Sequence, residues 1–416
     1  MGVPRPNQSK KDEKENFMSV YRIRKINTIA QEGLRHFSNK FVVSAEETAP
    51  DGIILRSAPL NVDDYPTLLA VARAGAGTNN INVARATEKG ICVFNTPGAN
   101  ANAVVDLIFP MVGVWKRNIY RGIEFCRSLA TMEPEKVNGE VEARKSAFKG
   151  EEIAGKTLAV IGLGQIGVRL ANGGVFRHMK VNGFDPAPAL ANIHQLSPEV
   201  RICRSLTDAV GDADVVSLHL PLNDSTRNLV NKEFVERMKK GAVLINYSRG
   251  PIVDEQAVIE ALDSGYLEAY LCDFPTPALV RHAKVLATPH LGASTSESEE
   301  NCATMAVNEL VNYLKYGNVV HSVNFPNIES TPADRIQSRL IVINRDVPGM
   351  IAFVSNTFGS HGINIASYLN QSNGTVGYNI IDVECTIPAA VVKEIEKKPD
   401  VIRTRVILFK EKGKEV

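Results

Sequence analysis

The glycine pattern Gly162-Leu163-Gly164-Gln165-Ile166-Gly167, near the middle of the chain, constrains the fold more than any other feature of the sequence. It follows the apolar run Leu158–Ile161, and a second apolar run ends just before Asp185. Glycines at the first two positions allow a tight turn and the close approach of a pyrophosphate, and the third lets the following helix pack on the strand. The pattern predicts a strand, a turn, a helix and a strand ending in a carboxylate, which together bind a dinucleotide.

The residues that open the predicted helix, Gln165 and Ile166, would present unpaired backbone N–H groups and the positive end of the helix dipole to the phosphates. Asp185 suits the adenosine ribose hydroxyls of NAD and would repel a 2′-phosphate. No arginine lies in the few residues after Asp185, so NAD is favoured over NADP as the cofactor. In the alternative interpretation, Asp185 caps a turn before Pro186.

The charge balance excludes several classes of function. The chain has 47 lysine and arginine residues against 46 aspartate and glutamate residues, and no basic stripe. This pattern argues against binding to nucleic acid or to an anionic membrane surface. No run approaches the ~18 consecutive apolar residues of a membrane span. The 416 residues are enough for two or three domains.

The N-terminus and the cysteines favour a cytoplasmic protein. Residues 1–16 are polar and charged without the apolar segment of a secretory signal, so we interpret them as a disordered tail. The six cysteines are scattered, mostly in apolar runs, and show neither a CxxC motif nor a metal-binding spacing. We interpret them as buried thiols in a reducing compartment, and no metal site is predicted.

Alternating short strands and helical stretches predict two α/β units. The first extends from Tyr21 to Phe94, and the second contains the glycine pattern together with further strands that predict a doubly wound parallel sheet. Long amphipathic helices are predicted over Asn102–Arg121 and Ser296–Tyr316.

A third unit follows a polar segment. Residues 327–337, which include Pro332, are predicted to form a linker. From residue 338 to 416 the order is strand, helix, strand, strand, helix, strand, with the first helix over Met350–Ser360 and an Asn373-Gly374 hairpin turn. This βαββαβ order predicts a ferredoxin-like domain.

Two polar segments stand at predicted strand ends, Asn246–Gly250 and Thr288–Gly292. Ligands of an open α/β sheet bind at the carboxyl ends of its strands. Arg249 there could grip a substrate carboxylate, and His290 could transfer a proton to or from a hydroxyl or carbonyl. Taken singly, Arg249 could be a surface cation and His290 a capping residue. Together with a nicotinamide they would form a hydride-transfer site for a 2-hydroxy acid.

These residues resemble the D-2-hydroxyacid dehydrogenase family. The resemblance covers nearly the whole chain and is carried by the glycine pattern and by five further segments: Ala74–Ile81, Asn95–Asn100, Ser217–Leu222, Tyr247–Gly250 and Thr288–Thr295. It implies an NAD-dependent enzyme with a discontinuous, flavodoxin-like substrate domain over 17–104 and 295–326. The Rossmann cofactor domain would cover 105–294, and the C-terminal unit over 338–416 looks like an ACT domain, a module that commonly binds amino acids.

The resemblance also implies roles for individual residues. Arg249 would orient the substrate carboxylate and C2 oxygen, and His290 would be the acid/base. Further residues along the cofactor would be His219, Pro221, Thr226, Ser248, Asp273 near the nicotinamide carboxamide, and Gly292. Substrate contacts would come from Arg56, Ser57, Gly77 and Asn100.

Two features narrow the expected substrate and regulation. Arg56 and Ser57 suit a phosphate dianion, so the resemblance favours members that act on 3-phospho-D-glycerate; glyoxylate or hydroxypyruvate is the alternative, and Arg56 could instead be a solvated edge charge. In the ACT-like unit, Asn344, Asp346 and Asn364 match ligand-loop positions, which implies L-serine as effector, although Asn344 replaces a histidine of some serine-inhibited members. A dimerisation module without ligand is the alternative. We expect a homo-oligomer, specifically a tetramer.

One departure from the family pattern concerns the partner of His290. The family places a glutamate before the histidine, whereas Asp273-Phe274-Pro275-Thr276 is followed here by Pro277. Without that carboxylate the imidazolium has no anionic partner, so we expect reduction of a keto acid to suffer more than oxidation of a hydroxy acid. The same departure leaves open a non-catalytic regulator that senses NAD.

Overall fold

The computed structural model describes residues 20–409, so the predicted tail over 1–16 lies outside the described residues. These residues form two compact units. The cofactor unit is continuous, Asn100–Ser298, and the other, here called the substrate unit, combines the residues before it with those from Glu299 onward. The predicted ACT-like region is therefore part of the substrate unit. Two residues of the predicted linker, Ile328 and Ile336, are buried there.

The substrate unit begins with a five-stranded parallel sheet in the order β2-β1-β3-β4-β5. This is the flavodoxin-like order 2-1-3-4-5, as predicted. Apolar residues cover both faces, which is typical of parallel strands. The strands are β1 Tyr21–Lys25, β2 Phe41–Ser44, β3 Gly52–Leu55, β4 Ala70–Arg73 and β5 Cys92–Phe94, with helices α1 Gln31–Leu34 and α2 Val83–Glu88 and a 3-10 helix at Val62–Asp64.

The cofactor unit opens with helices rather than strands. The single helix predicted over Asn102–Arg121 is wrong: two helices, α3 Ala101–Lys116 and α4 Ile119–Ser128, occupy this region. Asn118 interrupts them because its φ of 50° is left-handed and cannot continue a right-handed helix. A third helix, α5 Pro134–Arg144, follows, with 3-10 helices at Leu129–Thr131 and Lys145–Phe148.

The seven-stranded sheet of this unit is parallel throughout, in the order β12-β11-β10-β9-β6-β7-β8. Six of these strands, in the order β8-β7-β6-β9-β10-β11, follow the Rossmann order 3-2-1-4-5-6. This order confirms the predicted doubly wound fold. The elements are β6 Thr157–Ile161, α6 Gln165–Phe176, β7 Lys180–Phe184, α7 Leu190–Ile193, β8 Arg201–Ile202, α8 Leu206–Val210, β9 Val215–Leu218, α9 Lys232–Arg237, β10 Ala242–Asn246, a 3-10 helix at Gly250–Ile252, α10 Glu255–Asp263, β11 Leu267–Cys272, α11 Pro277–Arg281 and β12 Val285–Ala287.

The last part of the chain contains the predicted Ser296–Tyr316 helix, α12, and then the βαββαβ motif. Its sheet is antiparallel, in the order β14-β15-β13-β16. The Asn373-Gly374 turn joins the edge strand β14 to β15 as predicted, with Gly374 at a φ of +85°. The elements are β13 Ser338–Arg345, α13 Met350–Ser360, β14 Ile365–Ser372, β15 Val376–Val383, α14 Ala389–Glu396 and β16 Val401–Leu408.

One face of this antiparallel sheet is built into the core of the substrate unit. Three of its side chains donate to carbonyls at the C-terminal end of α12, where a helix runs out of backbone N–H donors. Tyr313 O also accepts from Gly317 N at 2.8 Å. The Arg339 guanidinium donates to Tyr316 O at 2.6 Å, Arg405 to Tyr313 O at 2.6 Å, and the Tyr378 hydroxyl to Gly317 O at 2.7 Å. We call Arg339, Tyr378 and Arg405 the α12 cap.

Within residues 20–409, no helix is both long and apolar enough to cross a membrane. The same residues contain no group of three histidine, cysteine or carboxylate side chains placed to hold a metal ion. Four of the six cysteines are buried, as predicted, whereas Cys126 and Cys385 are exposed.

Candidate active site

The three glycines of the central pattern meet different constraints. Gly162 has a φ of +99°, and a Cβ there would lie 2.3 Å from His219 O. A Cβ on Gly167 would lie 1.9 Å from Gly162 O. A Cβ on Gly164, by contrast, would meet nothing within 4 Å. Gly162 and Gly167 are therefore required by the fold, whereas Gly164 borders open space at the start of α6.

That open space suits a pyrophosphate. Gly164 is the N-cap of α6 and no side chain caps the helix, so the first N–H groups, including that of Ile166, are unpaired by side chains. The Gln165 side chain is directed elsewhere and donates to Asn192 Oδ1 at 2.7 Å. Unpaired N–H groups and the positive helix end bind phosphate. The residues present therefore fit a dinucleotide.

We expect Gly164→Val to weaken NADH binding at least tenfold, or ~1.4 kcal/mol, because its side chain would fill the space that the pyrophosphate needs. The extended backbone of Gly164 accepts a β-branched residue, so the thermal unfolding midpoint should stay close to that of the parent protein. NADH fluorescence titration and a thermal melt measure the two effects. Gly139→Val, at an exposed glycine of α5, is the control. Unchanged NADH affinity of Gly164→Val would contradict this assignment.

Asp185 follows β7 and binds the glycine loop. Its Oδ2 accepts from Leu163 N at 2.8 Å and its Oδ1 from Ala187 N at 2.9 Å. The second bond is the turn cap that the alternative interpretation required. Each carboxylate oxygen keeps a further lone pair, so Asp185 can also accept from ribose hydroxyls.

The predicted cofactor residues after β9 mostly serve local structure. Ser217 Oγ lies 2.9 Å from His219 Nε2, and burial lowers the pKa of His219 to about 3, which keeps its imidazole neutral. Thr226 Oγ1 donates to Pro221 O at 2.6 Å and so closes the loop that both residues share. Ser248 Oγ donates to Leu218 O at 2.5 Å and joins the ends of β9 and β10.

Arg249 lies just beyond the carboxyl end of β10. Asn246 Nδ2 donates to Arg249 O at 2.9 Å, and Arg249 Nη1 donates to Ser248 O at 2.7 Å. Burial lowers the pKa of the guanidinium from its usual value, yet an arginine stays charged in proteins. No ion pair of the described residues includes Arg249, so this partly buried cation is available to a substrate carboxylate.

A buried carboxylate fixes the loop that carries His290. Asp273 accepts from Thr288 Oγ1 at 2.6 Å, from Leu291 N at 2.7 Å and from Gly292 N at 2.6 Å. Asp273 therefore bonds to residues that precede and follow His290 in the sequence. The sequence interpretation had assigned Asp273 to the nicotinamide and missed this holding role, although a carboxylate directly after a buried strand was a signal for it.

His290 itself has a left-handed backbone, with φ of 56°, and its ring meets Phe274 edge to face at 5.2 Å between centroids. Among residues 20–409, three histidines pair with carboxylates, and His290 is not one of them: the pairs are His282–Asp263, His321–Glu309 and His361–Glu394. Pro277, at the position of the expected glutamate, begins α11. In this structure, the acid/base candidate has an aromatic neighbour and no bonded carboxylate.

The predicted substrate residues divide between the two units. In the substrate unit, Arg56 Nη1 pairs with Glu299 Oε1 at 2.6 Å, and Ser57 is exposed beside it. Arg73 Nε donates to Arg56 O at 3.0 Å and helps to hold this loop, and Gly77 follows in the loop after β4. Asn100 belongs to the cofactor unit, where its Oδ1 is buried with no partner among the described residues.

The ACT-like residues are only partly brought together. Asn344 and Asp346 line a cavity of ≈ 480 Å³ at the start of α13, whereas Asn364 is exposed and does not line it. Asn344 is buried; its Nδ2 donates to Arg345 O and its Oδ1 accepts from Asn379 Nδ2, both at 2.7 Å. Asp346 Oδ2 accepts from Ser372 Oγ at 2.5 Å.

Comparison of the sequence with known proteins identifies relatives of this chain. Residues 121–292 match the family model described as D-isomer specific 2-hydroxyacid dehydrogenase, NAD binding domain. The chain is 32% identical over 360 residues to a D-3-phosphoglycerate dehydrogenase of Haemophilus influenzae, which covers 83% of each chain. It is also 34% identical over 276 residues to a hydroxypyruvate reductase of Thermotoga maritima, covering 62% of this chain and 83% of that protein.

A solved structure shares the fold. The NAD⁺-bound 3-phosphoglycerate dehydrogenase of Entamoeba histolytica superposes with a TM-score of 0.58 at 24% identity, covering 73% of this chain and 98% of that one.

Proposed function

The chain belongs to the D-isomer specific 2-hydroxyacid dehydrogenase family, and from this membership we propose that it oxidises 3-phospho-D-glycerate to 3-phosphohydroxypyruvate, the entry step of L-serine synthesis. It is an NAD-dependent oxidoreductase of a small-molecule substrate. The Haemophilus influenzae relative supports the narrower substrate because its similarity extends beyond the cofactor domain. Arg56 is the observation that carries the proposal, since its guanidinium suits a phosphate dianion.

In this mechanism, the start of α6 and Asp185 would hold NAD, which would supply the hydride acceptor for C2. His290 accepts the proton of the C2 hydroxyl, so that the products are the ketone, NADH and a protonated imidazole. Arg249 holds the substrate carboxylate and aligns C2. Asp273 keeps the His290 loop in one position through three hydrogen bonds. In the reverse reaction, protonated His290 donates the proton to the ketone oxygen, and no carboxylate among residues 20–409 pairs with its imidazolium.

The substrate proposal is tested by following NADH oxidation with 3-phosphohydroxypyruvate and, in parallel, with unphosphorylated hydroxypyruvate. A higher kcat/KM for the phosphorylated substrate supports the proposal. A preference for hydroxypyruvate would assign the chain to the reductase branch instead. If neither turns over while NADH still binds, the regulator alternative is favoured. The observation behind it is that His290 has no carboxylate partner in the part of the chain that the structure describes.

We expect Arg56→Ala to raise KM for 3-phosphohydroxypyruvate at least tenfold and to leave KM for hydroxypyruvate within about twofold, because a charge-assisted bond to phosphate is worth ~1.5–3 kcal/mol. Arg56 first has to leave Glu299, an exposed pair that costs little to break. Arg35→Ala, at an exposed arginine of the same unit, is the control. An equal rise in KM for both substrates would show that Arg56 does not recognise phosphate.

We also propose that the chain is regulated by an amino acid and assembles into a homo-oligomer. The cavity lined by Asn344 and Asp346 supports an amino-acid effector, and L-serine is tested by adding it to the same assays.

Exposed apolar side chains of α4, among them Ile119, Tyr120 and Ile123, support a homo-oligomer, for which we propose a tetramer. Analytical ultracentrifugation distinguishes a tetramer from a dimer.

A further inference from the structure

A second polar cavity lies in the substrate unit, apart from every residue assigned above. Its volume is ≈ 360 Å³. One wall is a face of α12, whose residues recur every three or four positions, and the other wall is the chain that follows the helix. The lining residues are Asn301, Thr304, Met305, Asn308, Glu309, Asn312, Asn318, Val320, His321 and Glu329.

Glu309 is the unusual member of this wall. Its side chain is only 5% exposed, although it is ionisable. Oε1 lies 3.1 Å from His321 Nδ1, while Oε2 is buried and has no partner among the described residues. A buried polar atom left without a partner costs ~1–3 kcal/mol. Because Glu309 also lines the cavity, its unpartnered oxygen indicates a place for a ligand that donates hydrogen bonds.

The charge of the cavity defines that ligand. Two carboxyl groups, Glu309 and Glu329, line it, and no lysine or arginine is among its lining residues. The asparagine side chains add amide oxygens that accept hydrogen bonds. We propose that this cavity binds a small primary ammonium compound, whose N–H groups donate to Glu309 Oε2. The proposal is independent of the dehydrogenase substrate, because no residue of the candidate active site lines the cavity.

Protonation of Glu309 sets the expected pH dependence. Burial raises the pKa of Glu309 to about 9, so the carboxyl is largely neutral at pH 7 and must lose its proton to pair with an ammonium. Burial lowers the pKa of His321, whose Nδ1 contacts Glu309 Oε1. The other titratable neighbours are Glu329 on the opposite wall and the buried thiol of Cys92 on β5, whose pKa is raised mainly by burial. Affinity should therefore increase as the pH rises from 7 to 9, where about half of the Glu309 carboxyl is ionised.

Isothermal titration calorimetry of the full chain with n-propylammonium is the experiment, with propan-1-ol as the neutral probe of equal length. An alkyl ammonium stays mostly protonated below pH ~10. We expect one saturable site for the ammonium, none for the alcohol, and an affinity roughly 50-fold higher at pH 9 than at pH 7, as the ionised fraction rises. Equal binding of the alcohol, or an affinity that does not change with pH, would overturn the proposal.

Two variants locate the site. Glu309→Gln retains the size of the side chain and should reduce ammonium affinity at least tenfold and abolish its pH dependence. Glu300→Gln, on the exposed surface of α12, should bind like the parent protein. Unchanged affinity of a folded Glu309→Gln variant refutes the assignment. If circular dichroism shows that this variant does not fold, the pH dependence of the unmodified chain decides the question.

Discussion

We expect His290→Asn to reduce kcat by about 10²–10⁴-fold, the contribution typical of a positioned acid/base. The loss should be similar for oxidation and reduction, since one imidazole takes up and returns the same proton. Asparagine is the appropriate replacement because His290 has a left-handed φ of 56°, which asparagine accepts more readily than most residues. The Asp273 bonds to the loop involve neighbouring residues and remain possible.

His178→Asn is a matched control for that experiment. His178 is exposed in the same unit and also has a left-handed backbone, with φ of 59°. Both variants should bind NADH with the affinity of the parent protein, as measured by fluorescence titration. Steady-state turnover comparable to the parent in a folded His290→Asn variant would remove His290 from the mechanism and leave no other acid/base candidate on its loop.

The second large effect concerns stability. Asp382→Ala should lower the free energy of unfolding by ~3–5 kcal/mol, the usual cost of leaving one partner of a buried ion pair alone. Arg339 Nε and Nη2 donate to the two oxygens of Asp382 at 2.6 and 2.9 Å, and the side chains are 0% and 3% exposed. Loss of the carboxylate leaves a buried cation and frees the guanidinium that caps α12.

The exposed neighbour pair Arg335–Glu384 provides the control. Its side chains are 65% and 53% exposed, so Glu384→Ala should cost at most ~1 kcal/mol. Urea unfolding followed by circular dichroism gives both values. A double variant, Arg339→Met with Asp382→Leu, should recover much of the loss, since apolar replacements of a buried pair are often neutral or stabilising. Equal costs for Asp382→Ala and Glu384→Ala would show that burial does not increase the contribution of the Arg339–Asp382 pair to stability.

Local signals in the sequence predicted much of the fold. The Met350–Ser360 helix and the Asn373-Gly374 turn lie where the pattern placed them, because each depends on residues close together in the chain. The glycine pattern predicted its own strand, turn and helix for the same reason. The break at Asn118 was missed because a single left-handed residue leaves an amphipathic pattern almost unchanged.

The sites were less predictable than the elements. Arg249 and His290 follow strand ends, so a rule about parallel sheets locates them. The bonds of Asp273 and the buried state of Glu309 depend on which residues the fold brings around them. The sequence shows a carboxylate directly after a buried strand, but not which groups the Asp273 oxygens bind. Nor does it show that Glu309 Oε2 has no partner among residues 20–409. Those facts require the positions of atoms from distant parts of the chain.

The α12 cap also determines the order in which the protein can fold during its synthesis. The sheet that begins at Tyr21 receives α12 only after residue 296 is made, and the cap residues lie between 339 and 405. The continuous cofactor unit, by contrast, has all of its residues by Ser298. On the ribosome, the unit that contains β1 is therefore completed after the cofactor unit. The face of its sheet that packs against α12 and the antiparallel sheet stays uncovered until those later residues emerge.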